Sequence, residues 1–92
     1  MKAIIRDSAF ADLERIAAWI AHDQPVAAAR VIDLILENIE RLARFPLMGH
    51  AGRVEGTLEW VVPSLPYIVV YTADEHQDEL VVIGIFHGAQ DR

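Results

Sequence analysis

The stretch from Ser8 to Phe45, SAFADLERIAAWIAHDQPVAAARVIDLILENIERLARF, decides the fold, because it reads as two amphipathic helices joined by a connection short enough to fold them back on each other. In its first half Phe10, Leu13, Ile16, Ala17 and Ile20 recur every three or four residues, which lines one helix face, with Asp12, Glu14 and Arg15 turned to water. Ser8 stands where an N-cap is expected, its hydroxyl able to accept from an orphan amide of the first turn. The helix is expected to end near His22. Pro25 suits the first turn of the next helix, where its missing N–H costs little, so His22-Asp23-Gln24 is a tight hairpin connection. The second helix is predicted from about Pro25 to Arg44, with Ala28, Val31, Ile32, Ile35, Ile39 and Leu42 inward. Glu37/Arg41 and Glu40/Arg44 are i,i+4 pairs on its outer side, each worth about a few tenths of a kcal/mol. Pro46 disfavours helical backbone at Phe45 and closes the helix.

Outward from this hairpin the period changes. Lys2 to Arg6 reads as a short strand broken by Asp7-Ser8. Leu47 to Thr57 holds Gly49, Gly52 and Gly56 without an apolar period and reads as a loop carrying His50 and Arg53. Leu58, Trp60 and Val62 then alternate with Glu59 and Val61. Pro63-Ser64-Leu65-Pro66 turns the chain into a run from Tyr67 to Thr72, and Asp74 to Asp78 forms a polar hairpin loop. Leu80 to Phe86 is apolar on both faces, as an interior strand is, with the helices on one side and something else on the other. The expectation is an α+β domain, β-α-α-β-β-β, with an N-terminal helical hairpin packed on a mainly antiparallel sheet.

Composition bounds the rest. Ninety-two residues fit one domain, 1–92, since domains of roughly 100 to 150 residues are the commonest size. The 53% hydrophobic content suits a small core that must stand on packing, because the absence of cysteine removes disulfides, thiolate metal sites and cysteine nucleophiles together. No run reaches the roughly 18 apolar residues of a membrane span and no signal-peptide pattern opens the chain, so a cytoplasmic location is expected. The net charge of −6 is the wrong sign for holding nucleic acid by neutralising phosphates, and no direct high-affinity nucleic-acid binding is expected. A mean hydropathy of +0.24 is high for a small soluble chain and hints at apolar surface on which another chain sits.

Motifs for chemistry are sparse. Histidines at 22, 50, 76 and 87 share no i,i+3 or i,i+4 spacing, so no metal site is expected. Ser8 and Ser64 are explained as cap and turn residues, and the loop glycines do not make a phosphate cradle, so neither a serine hydrolase nor a nucleotide cofactor is supported. Trp19 lies off the apolar stripe of the first helix, and Trp60 sits in a short strand. Both are read as filling the space between hairpin and sheet, with partner contact as the alternative. Glu59 is read as a solvated strand residue. Arg53, His87 and Arg92 stand out as cationic or potentially cationic groups flanking the sheet of an acidic chain.

A chain-long pattern then meets a family. It comprises Ala9, Asp12, Leu13 and Ile16; Pro25 with Ala28 and Ala29; Leu42, Phe45 and Pro46; and Gly49, Gly52 and Arg53. It continues through Val61-Val62, Pro66-Tyr67-Ile68-Val69-Val70-Tyr71 and Ile85-Phe86-His87-Gly88-Ala89-Gln90-Asp91-Arg92. In order and spacing this resembles the RelE/ParE superfamily of bacterial toxins, more closely its ParE-like branch. The resemblance implies a type II toxin–antitoxin pair, as in plasmid stabilisation, in which a cognate antitoxin wraps the toxin with an extended or helical tail and covers its apolar sheet and helices. It assigns Trp19, Ile20, Ile39 and Leu42 to antitoxin binding, and Arg53, Trp60, His87, Gln90 and Arg92 to binding a target. For ParE-like members that target is DNA gyrase, bound without catalysis or cofactor. RelE-like members instead cleave mRNA in the ribosome without a metal. On that alternative Tyr71 and His87 are proton-transfer candidates and Arg53 and Arg92 phosphate clamps. Many ParE-like toxins carry an arginine at the start of the strand after the glycine loop. Here Gly56-Thr57-Leu58-Glu59-Trp60 places Leu58 there, which keeps open a third reading, a non-toxic antitoxin-binding homologue.

Overall fold

A computed structural model describes residues 1–89, and no helix among them is long and apolar enough to cross a membrane. The chain runs β1 (Lys2–Ile5), α1 (Asp7–Ala21), α2 (Pro25–Arg44), a 3-10 turn (Pro46–Met48), β2 (His50–Ala51), β3 (Leu58–Val61), β4 (Tyr67–Asp74) and β5 (Glu79–His87). One five-stranded sheet results, ordered β1-β5-β4-β3-β2, antiparallel throughout except that β1 lies parallel to β5. The helical hairpin therefore carries the chain from one edge of the sheet to the other and covers one face on the way. Interior position explains why Leu80 to Phe86 is apolar on both sides.

Strand alternation sends Ala3 and Ile5, Leu58 and Trp60, Tyr67, Val69 and Tyr71, and Leu80, Val82 and Ile85 toward the helices, where they meet Ala9, Leu13, Ile35, Ile39 and Leu42. A register shift between Val70 and Tyr71 leaves Ile83 as the extra residue of β5, because Val70 faces Gly84 while Tyr71 faces Val82. Without that bulge the alternation of β5 could not place both Val82 and Ile85 in the core.

Several side chains take places other than those the period implied. Helix α1 starts at Asp7 with Arg6 as a cap lacking a side-chain bond, and Ser8 is not the cap. Its hydroxyl donates instead to the Ile83 carbonyl at 2.7 Å. Asp12 is only 9% exposed and accepts the Ile85 N–H at 2.9 Å on one carboxylate oxygen and the Arg15 guanidinium on the other. Both departures have one cause. Strand β1 pairs with β5 only as far as Val82, so the next polar groups on that edge are served by α1 side chains. Phe10 and Trp19 are exposed, whereas Trp60 does fill the space under the hairpin, its indole N–H donating to Asn38 Oδ1 at 3.1 Å. The expected loop from Leu47 to Thr57 contains the end of the 3-10 turn and the two-residue β2, too short to show a period. Glu37/Arg41 and Glu40/Arg44 are not among the ion pairs of the described residues.

Tyr71 ties this connection to the sheet. Its hydroxyl, in a fully buried side chain, donates to the Pro46 carbonyl at 2.7 Å and accepts the Gly49 N–H at 3.1 Å. Gly49 is required by the close approach: a Cβ there would stand 2.5 Å from the Tyr71 oxygen and 2.8 Å from the Glu59 carbonyl.

The bonds of Tyr71 and Asp12 can be tested through stability. Tyr71→Phe strands the Gly49 N–H and the Pro46 carbonyl and is expected to cost about 1–3 kcal/mol in urea unfolding. Burial pushes the Tyr71 hydroxyl above its ordinary value of 10.0, against a smaller opposite pull from the Gly49 N–H. Its neutral form is thus favoured by folding. That contribution is intact below the unfolded pKa and is lost as pH rises through the folded one. The alkaline fall in stability should be smaller in the Phe variant. Asp12→Ala, which orphans the Ile85 N–H, is expected to cost about 1–3 kcal/mol, and Asp12→Asn, which keeps an acceptor, clearly less. Paired denaturation curves decide this.

Candidate functional site

Two surfaces stand out. On the sheet face away from the helices, alternation sets Ile4, Ile68, Val70, Val81, Ile83 and Phe86 side by side, with Val61 toward the β3 edge. No helix of the described chain lies over this face: Val61 is exposed, Ile4, Ile68, Val81, Ile83 and Phe86 are half-buried, and Val70 is buried where the loop carrying Val54 comes against it. A hollow of about 300 Å³ sinks into this face between Val54, Val70, Ile83 and Phe86, with Arg53, Thr57 and Glu59 at its polar end. The loop beside it is built locally: the Gly52 N–H donates to the Thr57 carbonyl at 2.8 Å, and Gly56 at φ 85° occupies the left-handed region. Glu59 is not solvated as its strand position implied. It is 5% exposed and accepts the Arg53 backbone N–H at 3.0 Å, which pins the loop to β3.

The second surface lies where α1 crosses the end of β5. A groove of about 350 Å³ is lined by Asp12, Arg15, Ile16 and Trp19 of the helix and by Tyr67, Ile85 and His87 of the sheet. The Tyr67 and His87 rings meet edge to face at 5.6 Å, as their cross-strand pairing allows. His87 Nδ1 accepts the Ala89 N–H at 3.1 Å. Trp19 is 80% exposed, so it does not fill the hairpin–sheet space.

The residues assigned to target binding are not brought together. Arg53 stands at the rim of the open sheet face, Trp60 faces the helices, and His87 borders the α1 groove. Gln90 and Arg92 lie outside the described residues. Of the residues assigned to antitoxin binding, Ile39 at 2% and Leu42 at 0% exposure lie in the core between hairpin and sheet. Ile20 is half-buried and Trp19 free for contact. Tyr71, the proton-transfer candidate, lies inside the fold, its hydroxyl giving one structural bond and taking another away from solvent. Leu58 packs against the core on the helix side. Sequence reasoning missed Arg15, Asp12 and Tyr67 as neighbours of His87. Trp19 and Arg15, one turn apart, hint at a shared face, but only strand register brings Tyr67 and His87 to it.

Comparison with known proteins places the chain. Residues 3–92 match the family model described as the ParE toxin of the type II toxin–antitoxin system parDE. The Sinorhizobium fredii (strain NBRC 101917 / NGR234) protein named "Putative toxin Y4kP" is 38% identical over 71 residues, 77% of this chain and 74% of that one. Among solved structures, a chain of the chromosomal ParDE system from P. aeruginosa superposes with a TM-score of 0.84 at 19% identity, covering 95% of both chains. A chain of the toxin–antitoxin complex RelBE2 from Mycobacterium tuberculosis gives 0.64 at 22% identity, covering 94% of this chain and 95% of that one. The structural likenesses show a shared fold, and the family model, which spans nearly the whole length, shows kinship. A helical hairpin laid across one face of a five-stranded sheet, with an apolar opposite face that no helix covers, is here the fold of a member of the ParE toxin family of type II toxin–antitoxin systems.

Proposed function

We propose that this toxin acts by binding a macromolecular target, DNA gyrase by family resemblance, and is held inactive by a cognate antitoxin that covers its open sheet face. The observation that carries the reading is the apolar sheet face on which no helix lies. Ile68, Val70, Val81, Ile83 and Phe86 form a continuous patch of the kind that a partner segment covers. In the solved relatives, the RelBE2 chain belongs to a toxin–antitoxin complex, which supports a partner of the same class here. The proposed setting is the cytoplasm, with the pair serving to stabilise the plasmid or other element that encodes it.

Binding fits the chemistry better than catalysis. Cleaving RNA without a metal needs proton-transfer groups and cations converging on one phosphate. Tyr71 is engaged inside the fold, while Arg53 and His87 border different surfaces. The ribosomal mRNA endonuclease is therefore the lesser reading. A non-toxic antitoxin-binding homologue agrees with Leu58 as a packing residue, and toxicity separates it from the favoured one.

Expression of the chain alone is expected to arrest growth, and co-expression with the small protein of the adjacent reading frame to restore it and yield a stable complex. Purified chain should block gyrase supercoiling and leave ribosome-programmed mRNA intact. Cleaved mRNA with unaffected gyrase would move the assignment to the endonuclease, and absence of arrest would move it to the non-toxic homologue. Ile83→Glu, which puts a charge in the middle of the bare face, should lower affinity for the antitoxin at least roughly a hundredfold, measured by calorimetry.

A further inference from the structure

Where β5 ends, a side chain closes a turn of its own backbone. His87 Nδ1 accepts the N–H of Ala89, two residues on, at 3.1 Å. We propose that His87 is a positioning residue for target binding: its neutral imidazole locks the Gly88-Ala89 turn and so sets the direction in which the chain leaves the sheet ahead of Gln90 and Arg92. That role rests on the target reading above. It differs from the one the resemblance gives His87, because the residue aims others at the target instead of touching it.

Three contacts fix this exit from the sheet. Tyr67, itself buried, meets the imidazole edge to face at 5.6 Å across the β4/β5 register, which holds the ring of an exposed residue in one orientation. The Gly88 N–H donates to the Pro66 carbonyl at 2.6 Å, so the last backbone bond of this edge falls on the residue that precedes β4. The imidazole then takes the next N–H. A side chain that accepts from the backbone two residues on closes a local turn, as Asn and Asp do in Asx turns. Holding a segment in its binding direction beforehand lowers the ordering cost of association.

The lock works in one protonation state. In a neutral imidazole one nitrogen donates and the other accepts, whereas in the imidazolium both donate. Nδ1 accepts here, so the proton of the neutral ring belongs on Nε2, and a second proton at Nδ1 would set two N–H groups against each other. The charged and titratable groups that face the ring are Asp12 and Arg15 of α1, which pair with each other, and Tyr67 of β4. The turn at residues 63–66 brings none. The turn after β5 is therefore closed above the titration of the imidazole and opens as pH falls through it.

The test separates the bond from its use. NMR of the full chain reads the ring nitrogens and the temperature coefficient of the Ala89 amide proton across the titration of the imidazole. The expected result is a neutral ring without a proton on Nδ1, and an amide that is bonded while the ring is neutral and released once it is charged. His87→Asn should keep the amide bonded at every pH, because an Asn oxygen accepts from the same N–H without titrating. His87→Phe keeps a ring against Tyr67 and should lose the bond at every pH. The position is exposed, so neither variant disturbs the core. In gyrase supercoiling assays above the titration, His87→Phe should raise the half-inhibitory concentration about tenfold or more, and His87→Asn should recover most of the potency. An Ala89 amide indifferent to the charge of the ring overturns the lock. If His87→Asn is as weak as His87→Phe, the imidazole itself meets the target and the positioning role falls, as it also does if His87→Phe inhibits like the unaltered chain. An unaltered chain that leaves gyrase active overturns the target reading and the positioning role together, whatever the amide shows.

Discussion

The structure depends on the junction between α1 and the central strand β5. Parallel β1 reaches only to Val82, and past that point β5 would present unpaired backbone groups to the underside of a helix. Ser8 and Asp12, one turn apart on α1, take the Ile83 carbonyl and the Ile85 N–H in place of a strand. A buried carboxylate is costly unless its oxygens are bonded, and here both are. The same contacts seat the helix at the bulge of β5, and so decide which side chains line the groove above it.

A parallel pair at one edge and antiparallel pairs elsewhere leave one face for the helices and the other covered only where the loop carrying Val54 comes against it, among the described residues. Ninety-two residues can make one layer of helix and one of sheet, and the apolar content needed to hold such a small core spills onto the uncovered side. An apolar face of this kind is the sort of surface that another chain covers. Tyr71 shows how little of the interior is free for chemistry. Where a catalytic tyrosine would need a reachable hydroxyl, this one is bolted to the turn after α2.

Periodicity carried the architecture a long way. Both helices, the interior character of β5 and the inward residues of α2 follow from spacing, and α2 has the predicted bounds, Pro25–Arg44. Family resemblance rested on the same stretches. The candidate site was far less legible. Arg53, Trp60 and His87 look like one set along the chain, yet one borders the open face, one faces the helices and one borders α1. Ile39 and Leu42 have the composition of an interface and the location of a core.

What the sequence by itself determined was the helical hairpin, the run of strands after it and the kinship, because these rest on local periods and on an order of residues that needs no contacts to be seen. What the tertiary structure alone decided was the strand order, the bulge, the inward turn of Asp12 and Glu59, and the outward stance of Trp19. The physical reason is that a polar or aromatic side chain goes where an unpaired backbone group or an uncovered surface happens to lie. In this chain those places were set by how far β1 runs alongside β5, a register that no stretch of residues records on its own.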